Sequence, residues 1–401
     1  MDEVTTGVVY LDNHATTQVD PRVVEAMLPY FTQVYGNAGS VSHAFGWEAR
    51  DAVEAATATV AKAIGAKPKE VVFTSGATES NNLALRGIVE SPRRKGKHLL
   101  SVATEHRAVL DPLRRLESHG CELTLLVPTP AGRPEAGRLD PQQVADALRD
   151  DTVLVSIMLA NNEMGAIEPI AEIAAICRHR GVPLHCDATQ AVGRIPVDVE
   201  SLGVDLMSFS GHKIYGPRGL GVLYVRRRTP PLRLEPQITG GGQQHGLRSG
   251  TLNVPGIVGM AKAMQLCLEE MPEESQRLKM LRSQLWEGLN ERLEGVTLNG
   301  PELQPGDWRL PGNLNAVFRG VDGEALMLSM GTLALSSGSA CSAAEPEPSH
   351  VLRALGLPDD MVRGSLRFGL GRFNTESDIQ FAIDTIASAV TRLRKMSGLA
   401  G

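Results

Sequence analysis

Val71-Val72-Phe73-Thr74-Ser75-Gly76-Ala77-Thr78-Glu79-Ser80 is the stretch that decides the fold. An apolar run of strand formers leads into a string of small residues, and a helical pattern follows over 80–89. The same unit recurs along the chain. Apolar runs at 98–101, 123–127, 153–157 and 183–186 alternate with helical patterns at 46–64, 109–116, 142–148 and 170–179. Strands that are apolar on both faces and alternate with helices predict an α/β fold on a mainly parallel sheet. Residues 205–209 and 219–225 read as two further strands joined by a glycine-rich connection.

Beyond Pro255 the pattern changes. A long helix-forming stretch at 258–293 mixes charged and apolar residues at helical spacing, short β-like runs follow at 314–318 and 365–368, and a helix at 376–396 closes the chain. This predicts a second, smaller α+β domain.

The chain has 401 residues, 42% of them apolar and 21% charged, which is ordinary globular composition. A net charge of −6 argues against nucleic-acid and membrane-surface partners. The N-terminus has no apolar signal region and no apolar run is long enough to span a bilayer, so a cytoplasmic location is expected. Five cysteines without CxxC spacing argue against both a disulfide framework and a structural zinc site. Cys177 and Cys267 fall in helical patterns and read as core residues. Cys341 differs. It lies in Ser336-Ser337-Gly338-Ser339-Ala340-Cys341-Ser342-Ala343-Ala344, followed by Glu345-Pro346-Glu347-Pro348, where nothing bulky can bury a thiol. An exposed thiol on a loop is open to oxidation, so its presence points to a reactive role.

Other chemistry sits at the carboxyl ends of the expected strands, where open α/β sheets bind ligands. Lys213, in Ser208-Phe209-Ser210-Gly211-His212-Lys213, is placed to meet a ligand through its amine, and Ser210 and His212 are suited to a phosphate. Asp187, in His185-Cys186-Asp187-Ala188-Thr189-Gln190, offers the carboxylate that a pyridinium nitrogen needs. Taken alone, Asp187 also reads as a helix cap; paired with Lys213, the pyridoxal phosphate reading overtakes it. Gln190 is suited to a phenolic oxygen. The small residues of the 74–80 loop let backbone amides and the Thr78 hydroxyl face a phosphate at a helix start, and the loop lacks the lysine of a nucleotide P-loop. His106, after the strand at 99–102, can stack on a planar ring and shuttle protons. Asn161-Asn162-Glu163 reads equally as ligand contacts or as a plain turn. Gly240-Gly241-Gly242 leads to Arg248-Ser249-Gly250-Thr251, a second glycine-rich loop suited to phosphate. Arg367 interrupts an apolar strand and suits either a bidentate carboxylate or a salt bridge.

Together these motifs resemble the cysteine desulfurases of the NifS/IscS group, fold-type I pyridoxal-phosphate enzymes related to the class V aminotransferases. The resemblance runs from Tyr10-Leu11-Asp12-Asn13-His14-Ala15-Thr16-Thr17 to Leu366-Arg367-Phe368-Gly369-Leu370-Gly371-Arg372-Phe373. It implies a large domain at 16–261 with a mainly parallel seven-stranded sheet. It also implies a small domain at 1–15 and 262–401 carrying the Cys341 loop at about 334–348. By resemblance Lys213 links to pyridoxal 5'-phosphate, Asp187 pairs the ring nitrogen, Gln190 meets the phenolic oxygen and His106 stacks on the ring. Ala77, Thr78, Ser210 and His212 hold the phosphate, and Thr251 reaches the phosphate of a partner subunit in a homodimer. Asn162 and Arg367 hold the α-carboxylate of L-cysteine. The implied reaction takes sulfur from L-cysteine onto Cys341 as a persulfide, releases L-alanine, and hands the sulfur to an acceptor protein for iron–sulfur cluster assembly or tRNA thiolation.

The same residues would serve a selenocysteine lyase. An aminotransferase of this fold would not need Cys341, and a non-enzymatic sulfur carrier would bind the cofactor only structurally. The chain closes soon after its last helix, so docking of a scaffold protein through a longer tail is not expected. His14 carries no assigned role.

Overall fold

The computed structural model describes residues 7–92, 95–304, 308–337 and 348–398. Strand β1 (Val9–Tyr10) opens the described chain, and the main sheet follows as β2 (Val71–Thr74), β3 (His98–Val102), β4 (Glu122–Leu126), β5 (Thr152–Ser156), β6 (Leu184–Asp187), β7 (Leu206–Ser210) and β8 (Gly221–Val225). A smaller sheet uses β9 (Val296–Leu298), β10 (Asn313–Phe318) and β12 (Ser365–Gly369), while β11 (Leu333–Ala334) pairs with β1.

The main sheet has seven strands in the order β2-β8-β7-β6-β5-β3-β4. The expected α/β architecture on a mainly parallel sheet is therefore present. Only β8 runs against the rest, antiparallel to both β7 and β2. The cause is the short link after β7: a parallel neighbour needs a crossover of a dozen or more residues, whereas ten residues (211–220) allow only a direct return. Gly221 starts that return, and a Cβ there would run into the backbone of Gly76, so the close approach of β8 to the loop after β2 requires glycine.

One consequence positions the site. Strands β2, β3, β5, β6 and β7 share one direction, so the segments that leave them emerge at a single edge of the sheet.

Two large hydrophobic cores flank this edge. The first packs helices such as Ala44–Ala63 and Ile170–His179 on the main sheet. The second packs the closing helix Glu376–Met396 against β9, β10 and β12. The helix Val254–Arg292 joins them, burying Ile257, Met260 and Met264 in the first core and Leu281, Leu285 and Leu289 in the second. It starts four residues earlier than the sequence pattern suggests. Pro255 sits in its first turn, where the missing N–H costs nothing, and Asn253 caps Gly256 N–H at 3.1 Å. Cys177 and Cys267 are both buried, as expected of core residues. Among the described residues no helix is long and apolar enough to cross a membrane.

Candidate active site

A cavity of about 600 Å³ opens at the shared strand edge, a size suited to a small organic ligand. Its wall includes Ala77, Thr78, His106, Asn162, Asp187, Gln190, Ser210, His212, Lys213 and Arg367. Ten of the twelve residues singled out in the sequence therefore meet at one place.

Asp187, at the end of β6, is 5% exposed. It is held from two sides: Asn81 Nδ2 donates to Oδ2 at 2.7 Å and the Thr189 N–H donates to Oδ1 at 3.0 Å. The carboxylate is thus fixed in orientation as well as position. Three residues after β7, the Lys213 ammonium donates to the carbonyls of His14 at 2.5 Å and Ala15 at 2.6 Å. Those carbonyls belong to the segment that follows β1, so the lysine is gripped from outside the main sheet.

The helix Ala77–Val89 points its N-terminus into the cavity, and its cap residue Gly76 has no side chain to satisfy the first amides. A free, positively polarised helix start of thirteen residues suits a phosphate. Glu79 braces this loop, accepting from Ser75 N–H at 2.7 Å and pairing with Arg248 at 2.9 Å, which ties the first phosphate-suited loop to the second.

His106 caps the helix Arg107–Ser118, its Nδ1 accepting from the Ala108 N–H at 3.0 Å. The proton of the neutral ring therefore sits on Nε2. Burial lowers its pKa, and so does the nearby Lys213 charge, against the pull of Asp187. His212 is pushed to about 4, first by burial and then by Lys213. Glu105, next to His106, lies wholly buried, and burial followed by the Asp187 charge drives its pKa well above the carboxylate range. Its Oε1 accepts from Met158 N–H at 2.5 Å, which binds the His106 turn to the exit of β5.

Arg367, on β12, pairs with Asp12 at 2.8 Å and donates to the Asn162 carbonyl at 3.0 Å. Its Nε and the Asn162 Oδ1 are buried without a partner. The salt-bridge reading of Arg367 is realised with Asp12, and the residue also lines the cavity. The Asn161-Asn162-Glu163 alternatives also divide. Asn161 makes the turn, its Oδ1 accepting from Glu163 and Met164 N–H, while Asn162 faces the cavity.

Over residues 9–381 the chain matches the family model described as aminotransferase class-V. The chain belongs to the class-V aminotransferase family. It is 55% identical, over 98% of its length and 94% of the relative's, to a protein of Anaeromyxobacter sp. (strain K) named cysteine desulfurase IscS. A solved NifS-like protein superposes with a TM-score of 0.87 at 35% identity, covering 96% of this chain and 100% of that one. A second solved structure, described as SspA in complex with cysteine, has a TM-score of 0.78 at 34% identity and covers 91% and 99%. Within the family the chain is a cysteine desulfurase.

Two residues expected at the site of this cysteine desulfurase are not in the cavity wall. Thr251 is exposed and does not line the cavity of its own chain. Cys341 lies outside the described residues. The described flanks of its segment are anchored at the cavity: the Ser336 carbonyl accepts from Arg367 N–H at 2.8 Å, and His350 Nε2 bonds the Glu105 carbonyl at 2.9 Å.

Asn81, His14, Thr16 and Arg218 are among the wall residues that went unassigned in the sequence. Asn81 is a buried amide one turn into a helix, and its helical position gave the only signal. His14 is 1% exposed, and its Nδ1 stands 2.5 Å from Arg194 and 3.1 Å from Gln190 Oε1. Burial and the Arg194 charge hold its pKa well below the ordinary value. Thr16 bonds His212 Nδ1 at 3.1 Å, and Arg218 stands at the rim. These residues lie far apart in sequence, and only the fold brings them together.

Proposed function

We propose that this cysteine desulfurase binds pyridoxal 5'-phosphate in the cavity, with Lys213 as its covalent anchor, and desulfurates L-cysteine through Cys341. The observation that carries the reading is the convergence of Lys213, the doubly held Asp187 and the uncapped helix start at Gly76 in one cavity. The donor set fits the group: a carboxylate for the ring nitrogen, free amides with Thr78, Ser210 and His212 for the phosphate, Gln190 for the phenolic oxygen, and a neutral imidazole at His106 for the ring face. When bound, the cofactor supplies an electron sink for bonds at the substrate's α-carbon.

The protein's own residues do the rest. Arg367 and Asn162, both in the cavity wall, hold the substrate carboxylate. The freed Lys213 amine takes the α-proton. The Cys341 thiolate attacks the sulfur of L-cysteine, so the substrate's C–S bond breaks and an S–S bond forms. The products are L-alanine and a persulfide on Cys341, which passes its outer sulfur to an acceptor protein for iron–sulfur cluster assembly or thiolation. The anchoring of Ser336 and His350 beside Arg367 and Glu105 supports a thiol that reaches the cavity.

The same reading assigns residues 16–261 to a large domain and 1–15 with 262–401 to a small one. It makes the protein a cytoplasmic homodimer in which Thr251 serves the cavity of the second copy, consistent with its exposure away from its own. Exposed Phe31, Tyr35 and Trp47, each at least half accessible, give the surface an apolar area of the kind that meets protein partners.

The test uses two variants. Lys213→Ala should lose both the visible absorbance of the bound cofactor and all turnover. Cys341→Ser should keep the absorbance and lose desulfuration, and mass spectrometry of the unaltered protein after L-cysteine should find one extra sulfur on Cys341. A Cys341→Ser protein that still releases sulfide with turnover refutes the persulfide role.

A further inference from the structure

Two residues past Lys213 the backbone does something costly. Tyr215 adopts φ +61°, a left-handed conformation that bulky side chains rarely enter. Such a conformation persists only where the surroundings over-determine it. Here they do so from both cores.

On the side of the large core, the Tyr215 N–H donates to Thr17 Oγ1 at 2.8 Å and its carbonyl accepts from Asp20 N–H at 2.9 Å. Thr17 Oγ1 donates in turn to the His212 carbonyl at 3.0 Å, so the two residues that bracket Lys213–Ile214 hang on one threonine. On the other side, the phenol donates to Glu274 Oε1 at 3.0 Å and accepts from Arg372 N–H at 2.7 Å. Glu274 lies on the helix Val254–Arg292 between the stretch that packs in the first core and the stretch that packs in the second. Arg372 follows β12 by three residues and stacks its guanidinium 4.3 Å from the Tyr215 ring. It also bonds Asp20 at 2.8 Å and Glu274 at 2.9 Å. The phenol is fully buried, and burial with the Glu274 charge pushes its pKa far up, so it stays a neutral donor.

The strand that ends three residues before Arg372 is also the strand that carries Arg367. We propose that Tyr215 is a positioning residue, which couples the strand bearing Arg367 to the backbone bearing Lys213 and so sets the lysine amine against the substrate held by the arginine. A merely structural Tyr215 would explain the burial of its ring. It would not explain why a strained residue beside the lysine spends its hydroxyl on the junction between the cores.

The experiment uses protein loaded with pyridoxal 5'-phosphate. Tyr215→Phe removes the phenol oxygen and keeps the ring stacked on Arg372. The expected result is a kcat for L-cysteine desulfuration lowered about ten-fold, as a misplaced reacting group gives, with KM changed by less than about two-fold. The visible absorbance of the lysine–cofactor link should also shift its pH midpoint by about half a unit or more. Glu274→Gln, which keeps the shape but weakens the acceptor, should move the same two readouts in the same direction and decides the matter if Tyr215→Phe does not fold. Wild-type kcat and wild-type pH midpoint in a folded variant, with only the melting temperature lowered, overturn the proposal. The inference rests on Lys213 as the cofactor lysine. Unaltered protein that gains no visible absorbance with pyridoxal phosphate refutes that reading itself, whereas normal absorbance with unshifted variants refutes the role of Tyr215 alone.

Discussion

Asn81 donates to Asp187 across 2.7 Å, joining the helix that starts at the phosphate loop to the carboxylate at the end of β6. Two parts of the candidate site that are 106 residues apart in sequence are thereby fixed to each other. Under the proposed reading, the start of the helix Ala77–Val89 and the Asp187 carboxylate would act on a bound cofactor as one rigid unit.

Asn81→Ala should weaken cofactor binding without abolishing it. The substitution leaves Asp187 Oδ2, in a residue 5% exposed, without its donor, at a cost on the order of 1–3 kcal/mol. Part of that cost appears in the cofactor dissociation constant, which should rise about ten-fold when titrated by visible absorbance. An unchanged constant would show that Thr189 alone orients the carboxylate.

Arg367→Lys should raise KM for L-cysteine far more than it lowers kcat. The guanidinium now serves Asp12 and the Asn162 carbonyl, and the side chain lines the cavity. A single ammonium cannot replace that planar fork. A rise in KM on the order of ten-fold or more is expected in steady-state assays. A loss confined to kcat would instead assign Arg367 to the chemical step.

Gly221→Ala tests the close approach of β8 to the loop after β2. The added methyl meets the Gly76 backbone, which cannot yield as a flexible side chain would. The strand pair must spread, and with it the amides at the start of the helix Ala77–Val89. The variant should lose on the order of 1–3 kcal/mol in urea unfolding. It should also bind pyridoxal phosphate or inorganic phosphate more weakly than wild type. Full phosphate affinity in a destabilised variant would separate packing from phosphate binding.

How much of this was legible follows from how each residue signals. Lys213, Asp187 and His106 announced themselves because each stands at the end of an apolar run, where a charged or polar residue has a positional meaning. The strands gave the sheet and hence the shared edge. Asn81 and His14 gave no such signal, because an amide on a helix or a histidine in a loop is common, and their roles depend on partners 106 and 180 residues away. The direction of β8 was readable only from the length of its connection. The positive φ of Tyr215 was not readable, since nothing in Ile214-Tyr215-Gly216 marks the tyrosine rather than the glycine as the left-handed residue.

Buried acids, Glu163 and Glu168 together with Glu105, contribute a pH dependence of stability whose sign is opposite to that of a salt-bridged carboxylate. Burial raises Glu163 to about 7 and Glu168 to about 8, with Ser349 and the Leu139 N–H opposing only part of the effect. In the unfolded chain both titrate near the ordinary value of roughly 4.3. Between that value and the folded ones the native state holds more protons than the unfolded state, so stability falls as pH rises. The loss begins near pH 4.5 and levels off above about 8, on the order of a few kcal/mol for each group. Urea midpoints measured from pH 6.5 to 8, above the range in which the neutral histidines His14 and His212 oppose the trend, should therefore decline, and Glu163→Gln should flatten the lower part of that decline. The glutamine can still accept from the Ser349 hydroxyl, which caps the helix His350–Ala354, so the flattening would come from the lost titration and not from a lost cap. A Glu163→Gln profile parallel to wild type would mean that Glu163 ionises in the folded protein as freely as in water, and that its burial is relieved on the side where Arg367 stands.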